Sequence, residues 1–480
     1  MTVARRASDA LLPWACVALV VGRLTALAIA APPGDGDRYW QYWLGERILR
    51  EHAIPRALGP ETFSAPGAPW VPQEWLFSTA LAWTVDRGLA WLVPLACALV
   101  AGIAFAAVIR RCTLRGIPAT RTSAAVLFCG LASAQAFGVR AQVVGWAGTS
   151  LTLWLLELEG PAAWAAVPLT FVWANLHASA FLAPAIAFVF ALSAVIRDRR
   201  WSRAAGRYAA IGAACATATL LSPLGLDLPR YAAGLMSSPI RASIAEWGAT
   251  STSTLAFTSG ALPLLLILVA FGVRAPVRDR IVAVTFALLL FEAVRNVPLF
   301  AFAVAPIALA ALPAQTRAAA PPRFAGIVSW FALAAAGVAA VAVTVLTWSG
   351  APAMRNPLPV VAAAALIERA HGEPRVFCED FAWCSLFLVQ PMRVAFFMDG
   401  RSDPYPPEVW RDYRRVLDGN AGWSAVLDRF RVNAVLARRD GALDSLLRTQ
   451  PQTWRSIASP GPARLYVRPA LLAGAPVASR

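Results

Sequence analysis

Long apolar stretches alternate with short arginine-rich turns along most of the chain. Many of the stretches run to roughly 17–24 residues, enough to cross a hydrocarbon core of about 30 Å as a helix. The clearest cover residues 11–31, 88–109, 208–224, 255–273 and 324–348. Lipid offers no partner to a backbone N–H or C=O, so spans of this kind must pair their own backbone groups and are predicted to be helices. Adding the stretches at 122–137, 141–156, 162–176, 178–196, 281–291 and 297–312 predicts an α-helical polytopic membrane domain of about eleven transmembrane helices within residues 1–348. Residues 162–196 read equally as a re-entrant pair.

The basic turns orient these spans. Arg110, Arg111, Arg115 and Arg121 share one turn, and Arg197, Arg199, Arg200, Arg203 and Arg207 share another. Arg274, Arg278 and Arg280 follow, then Arg317 and Arg323. With the N-terminus inside, every one of these turns falls on the cytoplasmic side, as the positive-inside rule requires. The polar remainder, residues 349–480, then lies outside, and a bacterial inner (plasma) membrane is the expected location. Arg5 and Arg6 precede the first span, which is longer than a signal-peptide core and reads as an anchor.

Between the spans, residues 32–72 form a long first outer loop. Its stretch 38–52 mixes Tyr39, Trp40, Tyr42 and Trp43 with Glu46, Arg47 and Arg50, which predicts a helix lying in the membrane interface. Residues 227–254 form a second outer loop. In the C-terminal part, strand-like runs at 375–378, 394–398, 434–437 and 465–467 are interspersed with helix-like runs at 407–417, 423–430 and 443–449, which predicts a small extracytoplasmic α/β domain.

Composition agrees with this reading. The chain has 480 residues, 58% of them hydrophobic, with mean hydropathy +0.57. Its net charge of +16 comes from arginine alone and sits in the interhelical turns, so it argues against a nucleic-acid partner. The seven cysteines show no metal-ligand spacing. Five fall in or beside apolar spans; Cys378 and Cys384, six apart in the C-terminal part, are either free thiols or a disulfide in an oxidising compartment.

With this orientation, the unusual polar residues collect on the outer side. Asp35 and Asp37 follow the first span, and Glu74 precedes the next. Arg140 and Gln142, Asn175 and His177, Glu246, and Glu292, Arg295 and Asn296 occupy the remaining outer turns. Each has a plain structural reading as a solvated or turn residue. Together they suit an enzyme that moves a group from a lipid-linked donor. A carboxylate takes the proton from an acceptor hydroxyl, and arginines hold a donor phosphate and the charge that forms on it. Two aspartates two residues apart also suit a divalent ion, which leaves a metal possible and no cofactor certain.

The acidic pair after the first span, in a long outer loop, resembles the GT-C class of membrane glycosyltransferases. That class includes protein mannosyltransferases, aminoarabinose transferases of lipid A and the RgtA/B/C/D-like lipopolysaccharide galacturonosyltransferases. The chain is more closely similar to uncharacterised bacterial polytopic members. The likeness rests on Asp37-Arg38-Tyr39-Trp40 with Gly45-Glu46-Arg47-Ile48, Pro69-Trp70 with Glu74-Trp75-Leu76, Trp173-Ala174-Asn175-Leu176-His177, Glu246-Trp247, Arg295-Asn296-Val297-Pro298, and Asp399-Gly400-Arg401-Ser402-Asp403-Pro404-Tyr405. Gln41 stands where the closer members are expected to carry histidine, and Ser222-Pro223 where Asn-Pro is commoner.

The resemblance implies a GT-C-like fold and transfer of a sugar from a polyprenyl-phosphate donor to an extracytoplasmic acceptor: an envelope glycan, a lipid or a protein. It implies Asp37 as the catalytic acid of the first loop, with Asp35 as the alternative and Glu74 as the second acid. On the same reading, Arg140 and Arg295 bind the donor phosphate, while Asn175, His177, Glu246 and Asn296 orient substrate. Two other readings use the same residues. One is a non-catalytic carrier of lipid-linked sugar or an envelope polysaccharide assembly factor. The other is a receptor whose site is the segment 399–405, which also reads as a salt-bridged turn.

Overall fold

A computed structural model describes residues 3–30, 37–134, 136–237, 241, 244–251, 260–313, 366, 370–389, 394–457 and 463–472. Asp35 and the apolar stretch 324–348 lie outside these residues. In chain order the helices are α1 (Val3–Ala30), α2 (Asp37–Glu51), α3 (Trp75–Asp86), α4 (Leu92–Leu114), α5 (Ala119–Ser133), α6 (Gln142–Glu157), α7 (Ala166–Leu176) and α8 (Leu182–Asp198). They continue with α9 (Arg203–Leu220), α10 (Asp227–Ser237), α11 (Ala261–Phe271), α12 (Val277–Glu292), α13 (Val297–Ala311), α14 (Pro407–Leu417), α15 (Trp423–Arg429) and α16 (Ala442–Arg448). The strands are β1 (Arg375–Cys378), β2 (Ala395–Phe396), β3 (Ala434–Arg438), β4 (Arg455–Ile457) and β5 (Ala463–Val467).

The chain divides into two units, one of residues 1–30 and 91–350, the other of residues 31–90 and 351–480. The expected division at 348 differs from this one. The first outer loop, counted from sequence with the membrane domain, shares a unit with the C-terminal residues.

The first unit is helical. Among the described residues three helical segments are long and apolar enough to cross a membrane: Leu92–Leu114, Ala178–Asp198 and Val294–Ala311. Leu11–Ala26 and Ala261–Arg274 are shorter apolar helices. The count of about eleven spans expected from sequence is not confirmed among the described residues. The 11 residues of α7 extend only about 16 Å at 1.5 Å per residue. Leu99, Leu192, Leu266, Val269 and Leu288 are exposed on the outside of these helices. A water-soluble bundle would bury side chains of this kind, and a lipid-facing one exposes them.

Hydrogen bonds identify the two ends of this bundle. At one end, Arg111 and Arg115 of α4 and its following turn meet Glu157 at the end of α6 and Asp279 at the start of α12. Arg121 at the start of α5 reaches the Leu312 and Pro313 carbonyls after α13, and Tyr208 near the start of α9 donates to the Leu156 carbonyl at 3.2 Å. The arginine-rich turns at 110–121, 197–207 and 274–280 therefore gather at one end; Arg317 and Arg323 lie outside the described residues. Arg111 and Arg115, counted among the orientation signals, are also paired inside the bundle. Arg111 is wholly buried: its Nε and Nη2 donate to Glu157 at 2.9–3.1 Å, and its Nη atoms donate to the Phe302 and Ala303 carbonyls at 2.8 and 2.9 Å. The reason lies in α13. Pro306 has no N–H to give the Phe302 carbonyl four residues back, and Arg111 supplies the missing donor.

The second unit packs α2 and α3 with a five-stranded sheet of order β2-β1-β3-β5-β4. β1 pairs in parallel with β2 and β3, whereas β3–β5 and β5–β4 are antiparallel. Three core strands carry apolar side chains on both faces, Val376 to Cys378 on β1, Ala434 to Ala437 on β3 and Leu465 to Val467 on β5, as strands covered on two sides do. Cys378 and Cys384 form a disulfide, which settles the alternative left by the sequence. The helix expected at 38–52 is present as α2. Tyr39, Trp40, Tyr42, Leu44 and Ile48 are buried, and the helix packs on α3 and on the short helix Ser385–Val389.

Candidate functional site

Asp37 opens α2, where a carboxylate is favoured by the exposed N–H groups and dipole of the first turn. Its Oδ1 accepts the Trp40 indole N–H at 3.1 Å. One turn on, Gln41 shares a face with Asp37 and its side-chain amide donates to Glu74 Oε2. Gln73 donates to the other Glu74 oxygen at 3.0 Å. Glu74 is thus almost fully buried at the start of α3, its carboxylate held by two neutral amides. The departure at position 41 has a structural counterpart: the residue there orients the second acid by hydrogen bonding. Asp37 at the start of α2 and Glu74 at the start of α3, the two described acids expected from sequence, therefore belong to one unit.

The segment 399–405 lies beside them. Arg401 is fully buried, with its Nε 2.9–3.0 Å from Asp399 and its Nη1 3.1 Å from Glu61. The guanidinium also lies 5.1 Å from the Trp43 ring and 5.0 Å from the Trp70 ring, within the range of cation–π attraction. Asp399 further accepts from Tyr405 OH at 3.0 Å. Burial alone would lower the Arg401 pKa, but the Asp399 carboxylate holds it above its ordinary value. This is the salt-bridged turn among the readings of 399–405. It fastens the first loop to the C-terminal sheet, a role the receptor reading does not include.

The other candidates belong to the first unit, at the end of the bundle opposite the arginine turns. Arg295 lies 3.7 Å from Glu246 and stacks 3.9 Å from the Trp247 ring. Arg241 pairs with Glu292, and Asn296 donates to Glu292 Oε2 at 3.3 Å and to the Leu289 carbonyl at 2.9 Å. Val294 N–H bonds the Gly248 carbonyl at 3.0 Å, fixing the two turns against each other. His177 caps the turn after α7 through the Ser179 N–H at 3.1 Å and interacts electrostatically with Arg295. Glu246, Arg295, Asn296 and His177 are therefore brought together. Asn175 turns its amide back to the Phe171 carbonyl at 2.8 Å. The Arg140 backbone bonds the Cys97 thiol.

Glu292 also closes one end of an apolar cavity of about 350 Å³ between α8 and α12, lined by Phe181, Ile186, Val189, Phe286 and Leu289. Sequence reading assigned no role to Arg241 or to this groove. Arg241 sits in a loop with no periodic signal, and its partner is 51 residues away. Among the described residues no three His, Cys, Asp or Glu side chains converge as a metal site; Asp35, one of the aspartate pair, lies outside them.

No protein-family model matches the chain, and no curated protein is similar to it in sequence. In structure it is similar to the archaeal oligosaccharyltransferase AglB from Archaeoglobus fulgidus, a GT-C family member, solved in complex with an inhibitory peptide and a dolichol-phosphate. The TM-score is 0.53 at 11% identity, over 95% of this chain and 74% of that one. The apo form of the Archaeoglobus fulgidus oligosaccharyltransferase gives 0.52 at 11% identity, over 88% and 69%. The chain therefore shares its fold with an oligosaccharyltransferase.

Proposed function

We propose that this chain is an inverting GT-C-type glycosyltransferase of the bacterial inner membrane that moves a sugar from a polyprenyl-phosphate donor to an extracytoplasmic acceptor. The observation that carries the proposal is the apolar groove of the first unit, which ends on a cluster of guanidinium and carboxylate groups. An isoprenoid chain fills such a groove, and Arg241 and Arg295 suit its phosphate. AglB was solved with a dolichol-phosphate, an isoprenoid phosphate of the same chemical class.

In the reaction, the Asp37 carboxylate accepts the proton of an acceptor hydroxyl as its oxygen attacks the anomeric carbon. The bond from that carbon to the phosphate oxygen breaks, and its electron pair leaves with the polyprenyl phosphate. Arg295 and Arg140 stabilise the charge on that leaving phosphate. A single displacement inverts the anomeric centre. Glu74, Asn175, His177, Glu246 and Asn296 orient sugar and acceptor, and no step is routed through a metal ion. A carrier needs a path through the bundle, and the buried Arg111–Glu157–Arg115–Asp279 network at the arginine end argues against one.

The test is complementation of a deletion strain, with the envelope glycans profiled by mass spectrometry. The wild-type gene restores one glycan product, and Asp37→Asn, expressed at the same level, does not. Full restoration by Asp37→Asn would remove Asp37 from the mechanism, and an unchanged profile in the deletion strain would remove the activity.

A further inference from the structure

We infer that the turn at Gly400 is a positioning element for the Asp37 carboxylate, with Gly400 and Ser385 as its positioning residues. The inference rests on the reading of Asp37 as the proton acceptor and extends it. A Cβ built on Gly400 would lie 3.0 Å from Ser385 Oγ, 3.2 Å from Trp40 Cδ1 and 3.5 Å from Asp37 Oδ1. Trp40 is the residue whose indole N–H bonds Asp37 Oδ1. Any side chain at position 400 therefore crowds Ser385 Oγ and the Trp40 indole that bonds Asp37, and comes into ordinary contact with the carboxylate itself.

The turn is itself fixed from three directions. The Gly400 N–H donates to Ser385 Oγ at 2.9 Å. Ser385 follows Cys384, which the disulfide ties to the end of β1. On the other flank, Arg401 is clamped by Asp399 and Glu61, and Asp399 by Tyr405. The short helix Ser385–Val389 also packs along α2. A carboxylate on the first turn of a helix has rotamer freedom of its own. Here the Trp40 indole bonds it and the Gly400 turn packs against both, which restricts it as a group that must meet a hydroxyl proton at hydrogen-bond distance requires.

The test compares Gly400→Ala, Ser385→Ala and Gly372→Ala in the full chain. Gly372→Ala is the control, because its added methyl meets only Leu471 at ordinary contact distance, 3.8 Å. Modification of Asp37 by a water-soluble carbodiimide and an amine is followed against pH by mass spectrometry, and each variant is also scored for glycan output in the deletion strain.

Gly400→Ala is expected to shift the midpoint of Asp37 modification by half a pH unit or more and to lower glycan output about tenfold at equal abundance. Ser385→Ala, which adds no volume, is expected to shift the midpoint in part, and Gly372→Ala to change neither. An unchanged Asp37 profile in a folded Gly400→Ala chain would overturn the inference. If Gly400→Ala does not accumulate, an unchanged profile in Ser385→Ala would do so. A shifted profile with full glycan output would instead sink the reading of Asp37 as the base, so the two failures are distinguishable.

Discussion

At the scale of single residues, the firmest constraints are buried charges. Glu157 accepts from both Arg111 and Arg115, with its side chain almost entirely out of solvent. Removing one partner of such a set leaves the others charged, buried and uncompensated, which costs roughly 3–5 kcal/mol. Glu157→Leu should therefore lower the unfolding temperature of the detergent-solubilised protein sharply. The double variant Arg111→Met, Glu157→Leu should lose less than the sum of the singles, because Arg115 keeps Asp279. Additive losses would show that the pair is not coupled. The pairing was not legible in the sequence, where 46 residues separate the partners and both read as helix-end residues.

Asp444 gives the pH prediction at this scale. Burial alone would raise its pKa, but the Tyr466 hydroxyl, the Asp440 N–H, Arg464 and Arg448 together hold it below its ordinary value. A lowered carboxylate pKa stabilises the fold above the unfolded-state value of about 4 and loses that contribution as pH falls through the folded value. Asp444→Asn should therefore be less stable than wild type at neutral pH, with the gap closing in acid. Chemical denaturation of the full chain between pH 3 and 7 measures this, and a gap constant with pH would refute it.

At the scale of elements, α2 and α3 approach so closely that a Cβ on Gly45 would sit 1.9 Å from the Ser78 backbone oxygen and 2.7 Å from Ala82 Cβ. No side-chain rotation relieves a clash with backbone, so Gly45→Ala must move the helices apart. Overpacking of this kind typically costs 1–3 kcal/mol, and it would also pull Gln41 from Glu74. Gly45→Ala is expected to destabilise the chain by about that amount and to lower glycan output by more than its abundance falls. Wild-type unfolding and output would show that the two helices are not in contact.

Much at this scale was legible. The apolar stretch 141–156 is α6 at Gln142–Glu157, the run 297–312 is α13 at Val297–Ala311, and the expected elements 375–378 and 407–417 coincide with β1 and α14. The periods of strand and helix are local, so a sequence displays them. The short strand β4, with two exposed residues of three, carries no such signal. The partition of α2 and α3 with the C-terminal sheet was likewise hidden. It depends on Arg401 reaching Glu61 across 340 residues and on Phe396 N–H bonding the Glu61 carbonyl. At the candidate site, the residue types were readable because ionisable groups among apolar spans stand out. The groove and Arg241 were not, since a groove belongs to the facing surfaces of two helices.

At the scale of the whole molecule, the distribution of charge makes the last prediction. Arg111, Arg115 and Arg121 meet α6, α12 and α13 at one end of the helical unit, and the Arg197–Arg207 turn joins α8 to α9, whose Tyr208 reaches α6 at that same end. His177, Glu292, Arg295 and Asn296 terminate helices at the other. By the positive-inside rule the arginine end is expected in the cytosol. A disulfide such as Cys378–Cys384 is expected in an oxidising compartment. Both arguments are met by one topology and fail differently. Trp201, 68% exposed in the α8–α9 turn, replaced by cysteine should react with a membrane-impermeant maleimide only after cells are permeabilised. Gln452→Cys, on an exposed turn of the sheet unit, should react in intact spheroplasts. Four of the five native free cysteines are buried, which keeps the background low. Labelling of Trp201→Cys from outside would invert the helical unit and move the Arg295 cluster to the cytosol, where an extracytoplasmic acceptor cannot reach it.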